Sequence, residues 1–202
     1  MLSLISALLR DSVEAEANLL QRFAQKYPEL PEWSAAIEPV LTRLLVRNSV
    51  RRPMVGRVVV MPFNACALPH KTILIAQSLV EFCRNERDQM AFVVAHEMAH
   101  IQLGHSREKS AADATLKLLQ TGSTLAGVTS RLLFNRAFSR EAEFEADRLA
   151  VRFCSQAGYA PEAAIAFLKR LIVADRQSTG VRQLLNTHPS SEARVAELSA
   201  VI

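Results

Sequence analysis

Two histidines and a glutamate stand close together in His96-Glu97-Met98-Ala99-His100. Residues four apart lie on one face of a helix, so His96 and His100 can both direct an imidazole nitrogen at one metal ion. Glu97 lies beside them, where its carboxylate can act as a base on a water bound to that ion. Zinc held by two histidines needs a third protein ligand, and a catalytic site keeps a fourth position open for water.

The residues around this motif predict that it lies on a buried helix. The segment 89–103 is apolar on every side, which is typical of a helix inside a core. Asn85, with Asp88 three residues later, resembles a capping arrangement, and Gly104 is a natural stop at the other end. We therefore expect a catalytic helix over residues 86–103.

The best source of a third ligand is an acidic segment downstream, at residues 139–147. The segment predicts a helix that starts at Ser139, on which Glu143 and Asp147 are four apart and share a face. Its continuation is apolar, and carboxylates on a packed helix are costly unless they are paired or bind a metal. The alternative is a solvated acidic face balanced by Arg140 and Arg148, as charge runs usually are.

Together these motifs resemble the gluzincin zinc metallopeptidases that include the CaaX prenyl endopeptidase, HtpX and BepA. In that family the first glutamate of the second motif is the third zinc ligand, and it corresponds to Glu143. The aspartate four residues later supports a ligand histidine and corresponds to Asp147. The resemblance therefore implies one zinc per chain, held by His96, His100 and Glu143.

Two further stretches carry the resemblance, which covers residues 57–198. Asn64-Ala65-Cys66-Ala67-Leu68-Pro69 is similar to a family segment that precedes the active-site helix, and Thr187-His188-Pro189 with Arg194 is similar to a later element. Segment 64–68 can offer a strand edge to the backbone of a substrate. Arg194 can contact the substrate or carboxylates such as Asp147. In one departure, His70-Lys71 replaces the usual Gly-Gly.

The implied activity is zinc-dependent hydrolysis of peptide bonds. Zinc lowers the pKa of water and polarises the scissile carbonyl, while Glu97 takes the proton of the water and passes it to the leaving amine. By resemblance His188 lies near the zinc, where it stabilises the oxyanion or occupies the open coordination position. For an isolated histidine before a proline, the alternative is a structural role at the start of a helix.

Unfolded or misfolded polypeptides are the expected substrates, which places the chain in protein quality control. A second function class is a chaperone-like or regulatory polypeptide-binding module with gated or weak hydrolysis. The intact Glu97 argues against that alternative, because a binding module needs no general base. A third hypothesis is a non-peptide amidase that uses the same zinc chemistry.

The composition is typical of a compact enzyme, since half of the 202 residues are hydrophobic. The formal net charge is +4, but the basic residues are scattered and only 6% of residues are aromatic, so no nucleic-acid partner is predicted. Three widely spaced cysteines, at positions 66, 83 and 154, indicate buried, reduced thiols. We expect an N-terminal helical extension over residues 1–50 and a metallopeptidase domain over residues 51–202.

The N-terminus lacks the pattern of a signal peptide, because no basic residue precedes its apolar stretch. Apolar residues at helical spacing predict instead an amphipathic helix that packs on the domain, with peripheral membrane contact as the alternative. No stretch is apolar enough for a predicted transmembrane span. The sequence thus favours a cytoplasmic location with a polypeptide substrate as the partner, and it does not define the oligomeric state.

The predicted fold class is α+β, a helix-dominated zincin-like domain with a small sheet beside the active-site helix. We expect helices at about 3–26, 33–46, 77–83, 139–157, 161–174 and 190–200 besides the catalytic one, and a helical hairpin at 107–135. Strands are expected at about 57–61 and 72–76, with an extended segment at 66–68. His70 is expected at the surface, and His105 is expected in a surface or capping role at the end of the catalytic helix.

Overall fold

The computed structural model describes residues 16, 17, 20, 21, 23–106, 108, 137–177, 180–188 and 191–202. Within them the helices are α1 (Pro31–Arg47), α2 (Gln77–Phe82), α3 (Arg87–Leu103), α4 (Arg140–Gln156), α5 (Glu162–Gln177), α6 (Arg182–Thr187) and α7 (Ser191–Ser199). The strands are β1 (Val55–Val59), β2 (Ala65–Ala67) and β3 (Thr72–Ala76). This architecture confirms the predicted helix-dominated α+β class.

One three-stranded sheet, in the order β1-β3-β2, lies beside the catalytic helix. β3 is the central strand, parallel to β1 and antiparallel to β2. All five residues of β3 are buried, as its unbroken apolar run predicts. β2 is an edge strand, and α3 contacts both β2 and β3. The predicted extended segment at 66–68 is therefore a short edge strand one residue earlier.

α3 is the centre of the core. Almost the whole helix is buried, because α1, α4 and α5 contact it on different sides in addition to the sheet. Gly104 ends the helix in the left-handed conformation, with φ of 85°, which a side chain would disfavour. The expected helix at 86–103 agrees with the observed element to within one residue.

α4 starts as predicted, because the Ser139 side chain accepts a hydrogen bond from the backbone N–H of Ala142 at 3.1 Å. Its buried side chains include Glu143 and Asp147, both fully inaccessible to solvent. α4 packs along α3, so these two carboxylates face the histidine motif. The alternative of a solvated acidic face is thereby wrong for these two residues, while Glu141 and Glu145 are exposed.

The N-terminal part of the chain packs on the rest. α1 contacts β1, α3 and α4, and its Leu41 and Leu44 are completely buried. Ahead of it, Glu16 is buried, and its carboxylate accepts hydrogen bonds from the turn between β2 and β3. A domain boundary near residue 50 stays a prediction. Most of the expected helix at 3–26 and the hairpin at 107–135 lie outside the described residues.

No helix within the described ranges combines the length and the hydropathy that crossing a bilayer requires.

Candidate metal centre

α3 supplies two donor nitrogens and one carboxylate to a buried site. His96 and His100 are 5% and 0% exposed, and their Nε2 atoms are 3.1 Å apart. Their spacing of one helical turn brings the rings together without any distortion of α3. Glu97, 1% exposed, lies next to them in the chain and contacts a third histidine of the same site.

α4 supplies Glu143 to the same site. Its Oε1 lies 3.4 Å from His100 Nε2 and its Oε2 lies 3.6 Å from His96 Nε2. Tetrahedral zinc with bonds of about 2.0–2.1 Å separates neighbouring ligand atoms by about 3.3 Å. The three separations among His96, His100 and Glu143 lie around that value, so these residues fit a zinc ion.

A third histidine joins this group from the end of α6. His188 is 3% exposed, and its Nδ1 lies 2.9 Å from Glu143 Oε1 and 3.3 Å from His96 Nε2. Donor atoms of His96, His100, Glu143 and His188 all lie within 4.8 Å of one another. Three imidazoles and one carboxylate form a donor set that suits zinc.

A salt bridge behind the donor atoms fixes the orientation of His96. Asp147 Oδ1 lies 2.9 Å from His96 Nδ1, which leaves Nε2 directed at the donor cluster. Arg194 donates to both oxygens of Asp147 at 2.7 Å, and its Nη1 lies 2.9 Å from Glu143 Oε2. The geometry thus places Asp147 where the resemblance expects it. For Arg194 it favours the carboxylate partner, and substrate contact by this residue stays a prediction.

The carboxylates of the site are held in the charged form. Burial, the largest influence on Glu143, favours its neutral form, but the charges of His188 and Arg194 hold the pKa of this carboxyl well below its ordinary value. Burial also opposes ionisation of Asp147, yet Arg194 and the hydrogen bond to His96 lower its pKa. Two anionic groups are therefore available beside the histidines.

The two α3 histidines differ in protonation. Burial drives the pKa of His100 well below its ordinary value, so its imidazole is neutral and its lone pair can bind a metal. Burial and the charge of Arg194 oppose protonation of His96, but Asp147 and Glu143 outweigh them and raise its pKa to about 9. A metal ion that binds here must displace that proton.

Glu97 presents a carboxylate oxygen that is free to accept a proton. Its Oε1 is 3.6 Å from His188 Nε2, whereas its buried Oε2 has no hydrogen-bond partner among the described residues. An apolar pocket adjoins it, lined by Phe92, Val93, Phe167, Leu171 and Leu184 together with Ala65 of β2. A buried acceptor beside an apolar pocket suits a general base next to a bound substrate side chain.

The predicted substrate segment, Asn64 to Leu68, lies along the same site as the edge strand β2. Asn64 Oδ1 accepts hydrogen bonds from the Thr187 hydroxyl and from the Ala65 N–H, both at 3.0 Å. The bond from Thr187 connects Asn64, the residue before β2, to the last residue of α6, next to His188. A groove between β2 and His188 is lined by Ala65, Cys66, Ala67, Leu68, Ser106, Phe138 and Thr187. Substrate binding by this segment stays a prediction.

Three residues of this site, Phe138, His105 and Glu145, were not predicted to belong to it. Phe138 stacks on the imidazole of His100 with ring centroids 3.9 Å apart and an angle of 21° between the planes. For His105 the expectation was a surface or capping role; the surface position is wrong, since the side chain is buried with its Nδ1 3.1 Å from His100 Nδ1. Its Nε2 lies 3.2 Å from Glu145 Oε2. The only available signal was the position of His105 directly after the glycine that ends the catalytic helix.

Comparisons with known proteins agree with this geometry. The model of peptidase family M48 matches residues 34–202. Mitochondrial metalloendopeptidase OMA1 of Schizosaccharomyces pombe is 33% identical over 143 residues, which cover 67% of this chain and 42% of that protein. Its namesake in Saccharomyces cerevisiae is 31% identical over 149 residues, with coverage of 67% and 42%.

The beta-barrel assembly-enhancing protease of Escherichia coli K12 is also similar, with 26% identity over 188 residues that cover 79% of this chain and 38% of that protein. The chain thus spans less than half the length of these relatives. The family match begins inside α1 and takes in both helices that supply the donor residues.

Proposed function

The chain belongs to peptidase family M48, and from this premise we propose that it is a zinc-dependent metalloendopeptidase that cleaves unfolded or misfolded polypeptides. The observation that supports the proposal is the convergence of His96, His100, Glu143 and His188, whose donor atoms lie within 4.8 Å of one another. Glu97 adjoins this cluster with an unpartnered, buried oxygen. The cluster would hold one zinc ion per chain.

A zinc ion held by these residues would supply Lewis acidity, which lowers the pKa of a bound water and polarises a peptide carbonyl. Glu97 accepts the proton of the attacking water at Oε2 and transfers it to the nitrogen of the leaving amine. Asp147, through its 2.9 Å contact with His96 Nδ1, keeps the ring directed at the metal. Arg194 balances the charge of Asp147 and Glu143 and so holds both carboxylates in place.

The Nδ1 of His188 lies close to the donor atoms of the other three residues of the proposed zinc site. Its Nδ1 is 3.3 Å from His96 Nε2, a separation typical of two ligands on one ion. Its Nε2 lies 3.6 Å from Glu97 Oε1, so the ring also lies between this oxygen of Glu97 and the groove beside β2. Both contacts support the hypothesis that His188 would help to hold the metal in the resting enzyme and would make way for substrate; the alternative role is to stabilise the oxyanion.

The substrate class follows from the edge strand and the adjoining pocket. Pairing with the backbone of β2 requires an extended polypeptide and depends little on its side chains. The pocket lined by Phe92 and Phe167 has a largely apolar wall beside His96 and Glu97, and this wall would favour an apolar side chain, which folded proteins bury and unfolded ones expose. Both features favour unfolded chains over folded ones, which is the basis for a role in quality control.

Two further parts of the proposal concern location and membrane contact. The reduced, buried cysteines support a cytoplasmic location. Subcellular fractionation of tagged full-length protein tests it, and a vesicle-binding assay tests peripheral membrane contact through the N-terminal segment.

The decisive experiment combines a zinc assay with a cleavage assay on unfolded casein. The wild type should bind zinc and cleave casein, lose cleavage with a chelator, and regain it when zinc is restored. Glu97→Gln should bind zinc and not cleave. Casein binding without cleavage in the zinc-loaded wild type would favour the polypeptide-binding module, and cleavage of small amides alone would favour the amidase.

A further inference from the structure

His100 is held on the side opposite the metal-binding atoms by a buried histidine. His100 directs Nε2 at His96 and Glu143, while its Nδ1 lies 3.1 Å from the Nδ1 of His105. His105 is 9% exposed, and its other nitrogen, Nε2, lies 3.2 Å from Oε2 of Glu145. A chain of polar contacts therefore runs from the proposed zinc ligand through a second imidazole to a carboxylate.

If His100 is a zinc ligand, it follows which ring nitrogen of each histidine in this series of contacts carries a hydrogen. If His100 gives the lone pair of Nε2 to the metal, its Nδ1 must carry the hydrogen and donate it. His105 Nδ1 must then accept that hydrogen bond, so His105 carries its own hydrogen on Nε2. That N–H donates to Glu145, an acceptor with negative charge. Each donor in the chain meets an acceptor.

The fold brings these three residues together from two helices. Gly104 ends α3 with φ of 85°, and the residue directly after it, His105, places its ring beside His100 in the last turn of the helix. Glu145 lies two residues after Glu143 on α4, toward the solvent side, with 55% of its side chain exposed. Phe138 stacks on the face of His100, so the ring is restrained on both its edge and its face.

We propose that His105 and Glu145 position His100 for zinc binding. His105 accepts the hydrogen of His100 Nδ1, and Glu145 fixes the tautomer of His105 that can do so. His100 thereby receives from two residues the support that His96 receives directly from Asp147. This inference rests on the proposed zinc site, and it adds two residues to which that proposal gives no role.

The test is the zinc affinity of the purified full-length chain, measured by competition with a chromogenic chelator. His105→Leu keeps the bulk of the ring but removes the acceptor, and zinc affinity should fall by about 10- to 100-fold. His105→Gln offers an amide oxygen to His100 Nδ1–H and should restore part of that loss. The thermal midpoint of each metal-free variant reports whether the variant is folded.

A second test changes Glu145, whose side chain is exposed, so this substitution does not disturb the core. Glu145→Ala should weaken zinc binding several-fold, while the matched Glu141→Ala, an exposed glutamate on the same helix, should leave it unchanged. Because Glu145 acts through His105, Glu145→Ala should cause no further loss in the His105→Leu background. Additive losses in the double variant would overturn the proposed order of contacts.

Wild-type zinc affinity in folded His105→Leu would overturn the inference, as would equal losses in Glu145→Ala and Glu141→Ala. A failure of the proposed function gives a different result, which is seen in the wild type. The wild-type chain would then bind no zinc, or would bind zinc without cleaving casein. Loss of affinity in His105→Leu with no recovery in His105→Gln would overturn the assignment of this support to a hydrogen bond accepted from His100 Nδ1.

Discussion

His188 Nδ1 lies 2.9 Å from Glu143 Oε1, although the two residues are 45 positions apart in the sequence. The proposed third zinc ligand is thus in direct contact with a histidine that is not part of either helical motif. The same nitrogen is 3.3 Å from His96 Nε2, so His188 shares the space between the two ligands. This relationship gives the site four donors where three would suffice for a catalytic zinc.

We expect His188→Ala to raise basal casein cleavage while zinc content stays near one per chain. The change removes the donor that competes for the fourth position and leaves His96, His100 and Glu143 in place. Elemental analysis and initial rates on casein check the two parts. Lower turnover with zinc and substrate binding intact would instead assign His188 to transition-state stabilisation. Wild-type values on each measure would give it a structural role only.

Glu97→Gln should lower cleavage by about 100-fold or more, the usual contribution of a positioned general base. The amide has nearly the shape of the carboxylate, and Glu97 is not among the proposed ligands, so zinc content should persist. Metal content and the rate on casein, measured on one preparation, separate the two effects. Activity equal to wild type would remove Glu97 from the mechanism.

Glu143→Ala should lower zinc affinity by more than about 100-fold, beyond the usual effect of losing an outer partner. The side chain supplies both oxygens that approach the histidine nitrogens, at 3.4 and 3.6 Å. Elemental analysis after gel filtration measures the loss, with Glu141→Ala as the exposed control on the same helix. Stoichiometric zinc in folded Glu143→Ala would move the third ligand elsewhere.

Glu16→Ala should destabilise the β2–β3 turn. The Glu16 carboxylate accepts hydrogen bonds from the backbone N–H groups of His70, Lys71 and Thr72 at 2.5, 3.1 and 3.1 Å, and from the Thr72 hydroxyl at 2.6 Å. Thr72 is buried, so two of these donors would lose their partner without gaining water, at a cost of about 2 kcal/mol or more.

Urea unfolding measures that loss, and Glu38→Ala on the exposed face of α1 is the control. Because the turn connects β2 to β3, we also expect a higher KM for casein at unchanged zinc content. An unfolding free energy equal to that of the wild type would show that Glu16 does not stabilise the turn.

Stability should fall as the pH rises above about 9. Burial raises the pKa of the Cys83 and Cys154 thiols from 9.0 to about 12. Between those values the unfolded chain releases these protons and the folded chain keeps them, so the free energy of unfolding decreases with pH. Below pH 9 both states keep the protons, and the thiols add no pH dependence.

Urea midpoints at about pH 8 and about pH 10.5 measure this effect, and Cys83→Ala/Cys154→Ala should flatten the profile. Rapid alkylation of the native thiols by iodoacetamide at the lower pH would contradict the prediction, because a buried, protonated thiol reacts slowly.

The local parts of this protein could be predicted from the sequence. The apolar segment around His96 predicts α3 to within one residue, and the run from Thr72 to Ala76 predicts β3. The spacing of His96 and His100 already implies that both rings face one point. These predictions hold because a continuous apolar run, and the glycine that ends α3, depend on neighbours along the chain. The expected cap at Asn85 is wrong, since α3 is preceded by Glu86 and no side chain caps it. The six-residue helix α6 was not predicted, although α2, which is equally short, was.

Which residues contact the proposed zinc ligands depends on the tertiary structure. The acidic pattern around Glu143, taken without the histidine motif, favoured a solvated face, and the packing of α4 against α3 buries Glu143 and Asp147 while it leaves Glu145 exposed. Arg194 becomes a partner of those carboxylates because α7 also contacts α4. His105 was expected to have a surface or capping role, and it is buried beside His100 after the left-handed residue Gly104.

His96, Glu97 and His100 were thus determined by the sequence itself, because one turn of helix brings them together whatever surrounds it. The family resemblance expects His188 and Arg194 at the site but not His105, and all three take their places only in the tertiary structure. His188 and Arg194 come from distant parts of the chain, whose positions are decided by the packing of the whole core, while His105 follows the left-handed residue Gly104. A buried charge or imidazole is stable only where that packing supplies its partner.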